Sequence, residues 1–187
     1  YMTPQFLPYY LIGLPAKLLA IPMHVLVIII KFFFPALLFI LISWWLFNLT
    51  ENRAVSILGS LTAMLMPLIW TRDFLFFSWG VFWDYHLVFL KPGIQIAAVF
   101  WIISLLLWHL SVKNDKIGFA ILGAVALSAT VYSYLFYWTY IYVVLILFAL
   151  FSLFFKQWKW LKWTLIVLFG SVVLSGYAWI QFYLLAS

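Results

Sequence analysis

The stretch Thr71–Pro92, TRDFLFFSWGVFWDYHLVFLKP, carries much of the ionisable chemistry of the chain. It holds Arg72, Asp73, Asp84, His86 and Lys91, which takes in two of the 4 acids and one of the 3 histidines. Asp84 and His86 stand two residues apart. On a helix they would point away from each other; on an extended segment they share a face. A carboxylate near a histidine can exchange protons with a substrate or hold a metal ion. The plainer alternative is a solvated loop with interfacial anchors. No complete zinc or catalytic-triad motif accompanies them. No metal site is therefore assigned, and a divalent ion enters only as an optional assistant to Asp73, Asp84 and His86. Arg72 and Lys91 bracket the stretch. A guanidinium can grip phosphate through two parallel hydrogen bonds, so this pair is the candidate for a phosphate-linked substrate. Snorkelling to lipid headgroups is the alternative for both.

A second candidate region is Tyr132–Tyr142, YSYLFYWTYIY, which is uncharged and rich in hydroxyls. Stacked rings with phenolic donors suit the apolar faces and polar rims of sugars, and they suit a membrane interface equally well. Tyr134, Tyr137 and Trp138 are the candidates there for a sugar or a lipid.

The elements that must position these residues follow from composition. Of 187 residues, 69% are hydrophobic and 7% charged, with a mean hydropathy of +1.20. A soluble domain carries about 25% charged residues. Four acids and 10 bases cannot cover an aqueous surface, so the bilayer must be the solvent. The net charge of +6 is not a nucleic-acid signal, because the bases lie singly or in short groups between apolar runs rather than in a patch on a polar domain. The absence of cysteine removes disulfides and thiolate metal sites.

A spanning helix needs about 20 apolar residues. Lys31–Phe47, Ala54–Trp70, Gly93–Leu110, Ile117–Tyr134, Thr139–Phe155 and Trp163–Leu185 qualify. The expected fold is therefore all-α: a polytopic transmembrane helical bundle of about six spans, forming a single transmembrane domain over 1–187. Pro8, Pro15, Pro22 and Pro35 punctuate the N-terminal stretch, and each breaks the helical ladder or starts a helix. Pro8–Ala20 is too short to span and is read as an interfacial or re-entrant helix. Met23–Ile30 then leads into the first span. Lys17, His24 and Lys31 recur at heptad spacing, although Pro22 interrupts the face they would share.

The loops give an orientation. Arg53, then Lys113 and Lys116, then Lys156, Lys159 and Lys162 all fall on one side of that span pattern, leaving Arg72 and Lys91 opposite. The positive-inside rule places loops 48–53, 111–116 and 156–162 in the cytoplasm. A prokaryotic plasma membrane is the expected location. Trp44, Trp45, Trp158, Trp160 and Trp163 fall near the same interface. Small residues at four-residue spacing, Ala120, Ala124 and Ser128 in one span and Ser171 and Ser175 in another, predict close helix packing. Asn48-Leu49-Thr50 matches the glycosylation pattern but falls on the cytoplasmic side and is read as chance. With Tyr1 at the start and Ser187 directly after an apolar run, a piece of a longer protein is expected.

Leu90-Lys91-Pro92-Gly93, the span Ile94–Leu110, the short basic loop with Lys113 and Lys116, the small-residue run Gly123–Ser128 and the aromatic turn from Tyr132 to Thr139 form a recognisable series. The N-terminal run with Thr3-Pro4 and Pro8-Tyr9-Tyr10 precedes it. In this order they resemble the GT-C superfamily of polytopic glycosyltransferases, the group around the protein mannosyltransferases and aminoarabinose transferase. The basic, proline-containing loop end of that family is met in part, with Lys91 standing nearer the proline. The resemblance implies sugar transfer from a polyprenyl-phosphate-linked donor on the outer face. It also implies a catalytic carboxylate in a first outer loop, which would precede Tyr1, so the base is expected outside this chain. Arg72 and Lys91 would then bind the donor phosphate, and Tyr134, Tyr137 and Trp138 the sugar or lipid. Membrane lipid and the polyprenyl-phosphate sugar are the expected partners.

Two other classes compete. A transporter or flippase for a lipid-linked or apolar substrate predicts internal repeats or charged half-helices, and neither is visible; spans two to five hold no ionisable residue deep inside. A non-catalytic scaffold subunit predicts that the charges of Thr71–Pro92 tolerate replacement.

Overall fold

The computed structural model describes the backbone of residues 7–74, 92–133, 135–178, 180 and 184, and the side chains among these except at 65–74, 92 and 135–140. Every regular element among them is a helix, and none is a strand. In chain order they are α1 (Leu7–Leu18), α2 (Met23–Thr50), α3 (Arg53–Phe74), α4 (Pro92–Asn114), α5 (Ile117–Ser133), α6 (Leu135–Phe154) and α7 (Trp158–Leu174).

The helix ends have local causes. The chain turns between α1 and α2 through Ala20 at φ 51°, so Lys17 and Lys31 do not share one continuous helix. Met23–Ile30 is not a separate piece: α2 runs unbroken through it, with Pro35 inside. A proline there removes one backbone hydrogen bond, and the rest of a helix of 28 residues sustains it. Asn52 caps α3, its Oδ1 accepting the N–H groups of Ala54 at 3.0 Å and Val55 at 3.2 Å; a side-chain acceptor here satisfies donors the helix leaves open. Pro92 opens α4, where its missing N–H costs nothing and its fixed φ suits the first turn.

Three connections, Glu51–Asn52, Asp115–Lys116 and Phe155–Gln157, are only two or three residues long. Each turns on a left-handed residue that is not glycine: Glu51 at φ 55°, Asp115 at φ 54° and Lys156 at φ 56°. At the last, Gln157 N–H donates to Ser152 O at 2.7 Å and Lys156 N–H to Leu153 O at 3.1 Å. These two bonds make a Schellman motif, which closes the carbonyls at the end of α6.

Packing centres on α4, α5 and α7, with α6 against α7 and the α2–α3 hairpin against α4. Ile102, Leu105, Leu127, Val131, Ile141, Leu145, Val167 and Leu168 form the core with Leu38 and Ile42 of α2. The spacing of the two small-residue stripes predicts close packing for each, and in the structure they pack against one another. A Cβ on Gly170 would come within 2.9 Å of the Ala124 Cβ, and Ser128 Oγ donates to Ser171 O at 3.2 Å. Between α2 and α3, Ser43 Oγ donates to Ser60 Oγ at 2.7 Å.

Beyond this apolar core, the surface too carries large apolar side chains, unlike that of a water-soluble bundle. Ser60, Ser104, Ser111, Thr130, Thr164, Ser171 and Ser175 are buried, whereas Phe154 is 80% exposed, Val173 78% and Phe32 76%. In water such a surface would lose the free energy that drives folding, about 25 cal/mol for each Å² of apolar area left exposed. In lipid that cost vanishes, and hydroxyls are the groups that gain from being inside. Two helical stretches among the described residues, Met23–Thr50 and Gly93–Asn114, are long and apolar enough to cross a membrane. Shorter apolar stretches run over Arg53–Met64, Ile117–Ser133 and Ile141–Phe154.

Candidate functional site

The end of the bundle away from the basic loops is where both candidate regions attach. Gly93, at the start of α4, lies against Pro8 of α1 and the Ser133 carbonyl at the end of α5: a Cβ on Gly93 would stand 3.5 Å from Pro8 Cγ and 3.7 Å from Ser133 O. Beside them, Tyr132 Oη donates to Leu174 O at 3.2 Å and ties α5 to the end of α7. One cluster of helix ends therefore receives the chain as it leaves Lys91 and releases it into Tyr134.

The residues singled out from the sequence stand as follows. Asp84, His86, Lys91 and Tyr134 lie outside the described residues. Arg72 and Asp73 fall on the last turn of α3, which runs past the expected span end at Trp70 to Phe74; their side chains lie outside the described set. Tyr137 and Trp138 fall in the first turn of α6, and their side chains too lie outside it. The aromatic stretch is not a long turn, because α5 ends at Ser133 and α6 begins at Leu135. Among the described residues, no group of three or more His, Cys, Asp or Glu side chains is placed to hold a metal ion.

Tyr142, grouped by sequence with the outer turn, is instead buried in α6. Its hydroxyl lies 2.7 Å from Ser171 Oγ. Ser171 Oγ also donates to Leu168 O at 2.8 Å, and Ser175 Oγ donates to Ser171 O at 2.6 Å. Together with Ser128 these groups form a hydroxyl seam joining α5, α6 and α7. A signal for this seam was present in the sequence: Thr164, Ser171 and Ser175 sit at seven- and four-residue intervals in an apolar helix, and a polar stripe in such a helix faces its neighbours.

The opposite end is built from aromatics and bases. Trp108 Nε1 donates to Thr164 Oγ1 at 3.0 Å, and the Trp108 ring meets Phe148 and Trp160 edge-on, with centroids 4.8 and 5.5 Å apart. Such edge-to-face pairs are a favoured arrangement of ring quadrupoles. Trp163 Nε1 donates to Asp115 Oδ1 at 3.0 Å, locking the α4–α5 turn to the start of α7. His109 lies beside Trp160, with ring centroids 6.2 Å apart, and is in contact with the backbone of Asn48. The three turns that carry Arg53, Lys113, Lys116, Lys156, Lys159 and Lys162 are thereby held at one end of the bundle. Of the tryptophans expected at this interface, Trp44 and Trp158 are exposed, whereas Trp163 is turned into the core. Comparison with known proteins finds no matching family model, no matching curated protein and no matching solved structure.

Proposed function

We propose that the chain is the membrane-embedded segment of a multi-pass glycosyltransferase. In this reading it crosses the bilayer about six times, with its basic turns in the cytoplasm, and takes a sugar from a polyprenyl-phosphate donor at the opposite face. The apolar exterior and the gathering of the basic turns at one end support the membrane orientation. The enzymatic reading is carried by one observation, the meeting of Pro8, Gly93 and Ser133. Lys91 is joined through Pro92 to Gly93, and Tyr134 to Ser133, so the basic loop end and the aromatic turn spring from adjacent points. A phosphate-binding cation and sugar-stacking rings are what a lipid-linked sugar needs, and both stand next in sequence to this meeting point. The order of these features along the chain supports the family resemblance.

In this mechanism Arg72 and Lys91 hold the donor phosphate and stabilise the charge that builds on it as the glycosidic bond breaks. Tyr134, Tyr137 and Trp138 orient the sugar, Asp73, Asp84 and His86 assist, and the carboxylate that activates the acceptor comes from outside this chain. Replacing Arg72 by Ala in the full-length protein should slow turnover of the polyprenyl-phosphate sugar by about 10- to 100-fold, the range for a charged hydrogen bond of about 1.5–3 kcal/mol. Lys91→Ala should act in the same direction. Unchanged turnover in both variants refutes the phosphate role.

A further inference from the structure

Lys31 is a cation within α2, an apolar helix of 28 residues from Met23 to Thr50. It stands 19 residues before Thr50, about 28 Å along a helix at 1.5 Å per residue. With Thr50 on the cytoplasmic side, that depth is the outer edge of a hydrocarbon core of about 30 Å. Two contacts show which residues share this level. His109 of α4 meets the backbone of Asn48. Lys31 lies 17 residues before Asn48, and Pro92 lies 17 residues before His109. The two helices run in the same direction, so Lys31 stands about level with the start of α4. Ser43 Oγ of α2 donates to Ser60 Oγ of α3 at 2.7 Å. Lys31 lies 12 residues before Ser43, and Arg72 lies 12 residues after Ser60. These helices run in opposite directions, so the backbone of Arg72 comes to about the same level.

The face of α2 that carries Lys31 turns towards the bundle. Leu38 and Ile42, seven and eleven residues further on, share its stripe and belong to the core. Lys31 is half-buried, whereas its neighbours Phe32 and Phe33 are exposed. A helical side chain leans towards the N-terminus of its helix, here the outer end, so the lysine stem leads towards the mouth near Gly93. Among the described side chains no acid is near it, because Glu51 and Asp115 stand in turns at the opposite end.

We infer that Lys31 is a further phosphate-binding residue at this mouth, and that its ligand is the phosphate of a polyprenyl chain. The choice of ligand rests on the sugar-transfer reading; the placement of Lys31 does not. A cation on the bundle side of an apolar helix is costly unless an opposite charge meets it. Its ammonium is a compact point charge with three donors, suited to phosphate oxygens. A bulk lipid headgroup would be met from the outward side, where Phe32 and Phe33 stand. Polyprenyl phosphate freed of its sugar carries up to two negative charges against one in the donor, so an added cation favours the charge that develops on the leaving phosphate.

The full-length protein in dodecyl maltoside micelles, which contain no phosphate, is titrated with polyprenyl phosphate and with the uncharged polyprenol, and binding is read by native mass spectrometry. The phosphate should bind more tightly than the alcohol. Lys31→Gln should weaken the phosphate by about tenfold, the loss expected for one charge-assisted hydrogen bond, and leave polyprenol unchanged. Lys31→Arg should keep most of the affinity, and Lys159→Gln, exposed at the opposite end, all of it. A phosphate preference that Lys31→Gln retains, or an equal loss of polyprenol, overturns the assignment. So does full competition by an equal concentration of phosphatidylglycerol, which would make Lys31 an ordinary headgroup anchor. A wild type with no preference for the phosphate overturns it together with the roles of Arg72 and Lys91. If the phosphate binds through Lys31 but the same preparation transfers no sugar, the phosphate site stands and the sugar-transfer reading fails.

Discussion

Replacing Gly170 by alanine tests how closely α5 and α7 approach. The added Cβ would stand 2.9 Å from the Ala124 Cβ, against the 3.5–4.0 Å that two carbons prefer. That methyl is fixed to the α5 backbone, so the helices must separate by roughly 0.6 Å or more. Separation would loosen the bond from Ser128 to Ser171, at 3.2 Å. Overpacking of this kind costs about 1–3 kcal/mol, partly offset by up to about 1 kcal/mol from the better helix propensity of alanine. The net expectation is a loss of about 1–2 kcal/mol. Three other glycines calibrate the result. A Cβ at Gly118 meets nothing within 4 Å, and at Gly123 it meets Leu107 Cβ, Ser104 O and Trp108 N at 3.5 Å; both Ala variants should be neutral or stabilised. At Gly59 the contact is shorter still, 2.8 Å, but it falls on Leu46 Cδ1, the end of a side chain that can rotate away. Gly59→Ala should therefore cost less than Gly170→Ala despite the closer approach. Unfolding of the four variants in mixed micelles, followed by helical circular dichroism against denaturant, gives the order. If Gly170→Ala is as stable as Gly118→Ala, the close approach of α5 and α7 is refuted.

Other consequences follow from single contacts. A double-mutant cycle of Tyr142→Phe and Ser171→Ala should give a coupling of about 0.6 kcal/mol, the average for such bonds in a membrane bundle; zero coupling would mean the hydroxyls do not meet. Trp163→Phe keeps an aromatic ring but loses the donor to Asp115, and should cost about 1 kcal/mol in the same unfolding assay, whereas Asp115→Asn, which keeps an acceptor, should cost less. Glu51→Gly relieves a left-handed residue at φ 55° and should stabilise by about 1 kcal/mol; a loss would mean the turn has a different geometry. Single cysteines at Asn52, Lys116 and Gln157 should react with an impermeant maleimide from the same side of sealed vesicles, and labelling from opposite sides would overturn the orientation.

Composition pointed to lipid, because so few charges leave no means of covering a surface in water, and apolar runs of about 20 residues pointed to helices. The spacing of Ala120, Ala124 and Ser128 against Ser171 and Ser175 announced two faces that could approach, since small side chains at a four-residue interval line one side of a helix. It could not say that these faces meet each other. That pairing depends on which helices become neighbours, which a local pattern does not encode. The turns show the same limit: Arg53, Lys116 and Lys156 marked where the chain reverses, but nothing local indicated that Glu51, Asp115 and Lys156 would carry left-handed backbones in place of glycine. The candidate residues from Arg72 to Lys91 were legible only as chemistry, and the structure contributes the approach of Gly93 to Pro8 and Ser133. Tyr142 was misplaced for a physical reason. A tyrosine at a helix end suits an interface, and only the arrival of Ser171 from a helix distant in sequence gave its hydroxyl a partner and drew it inside.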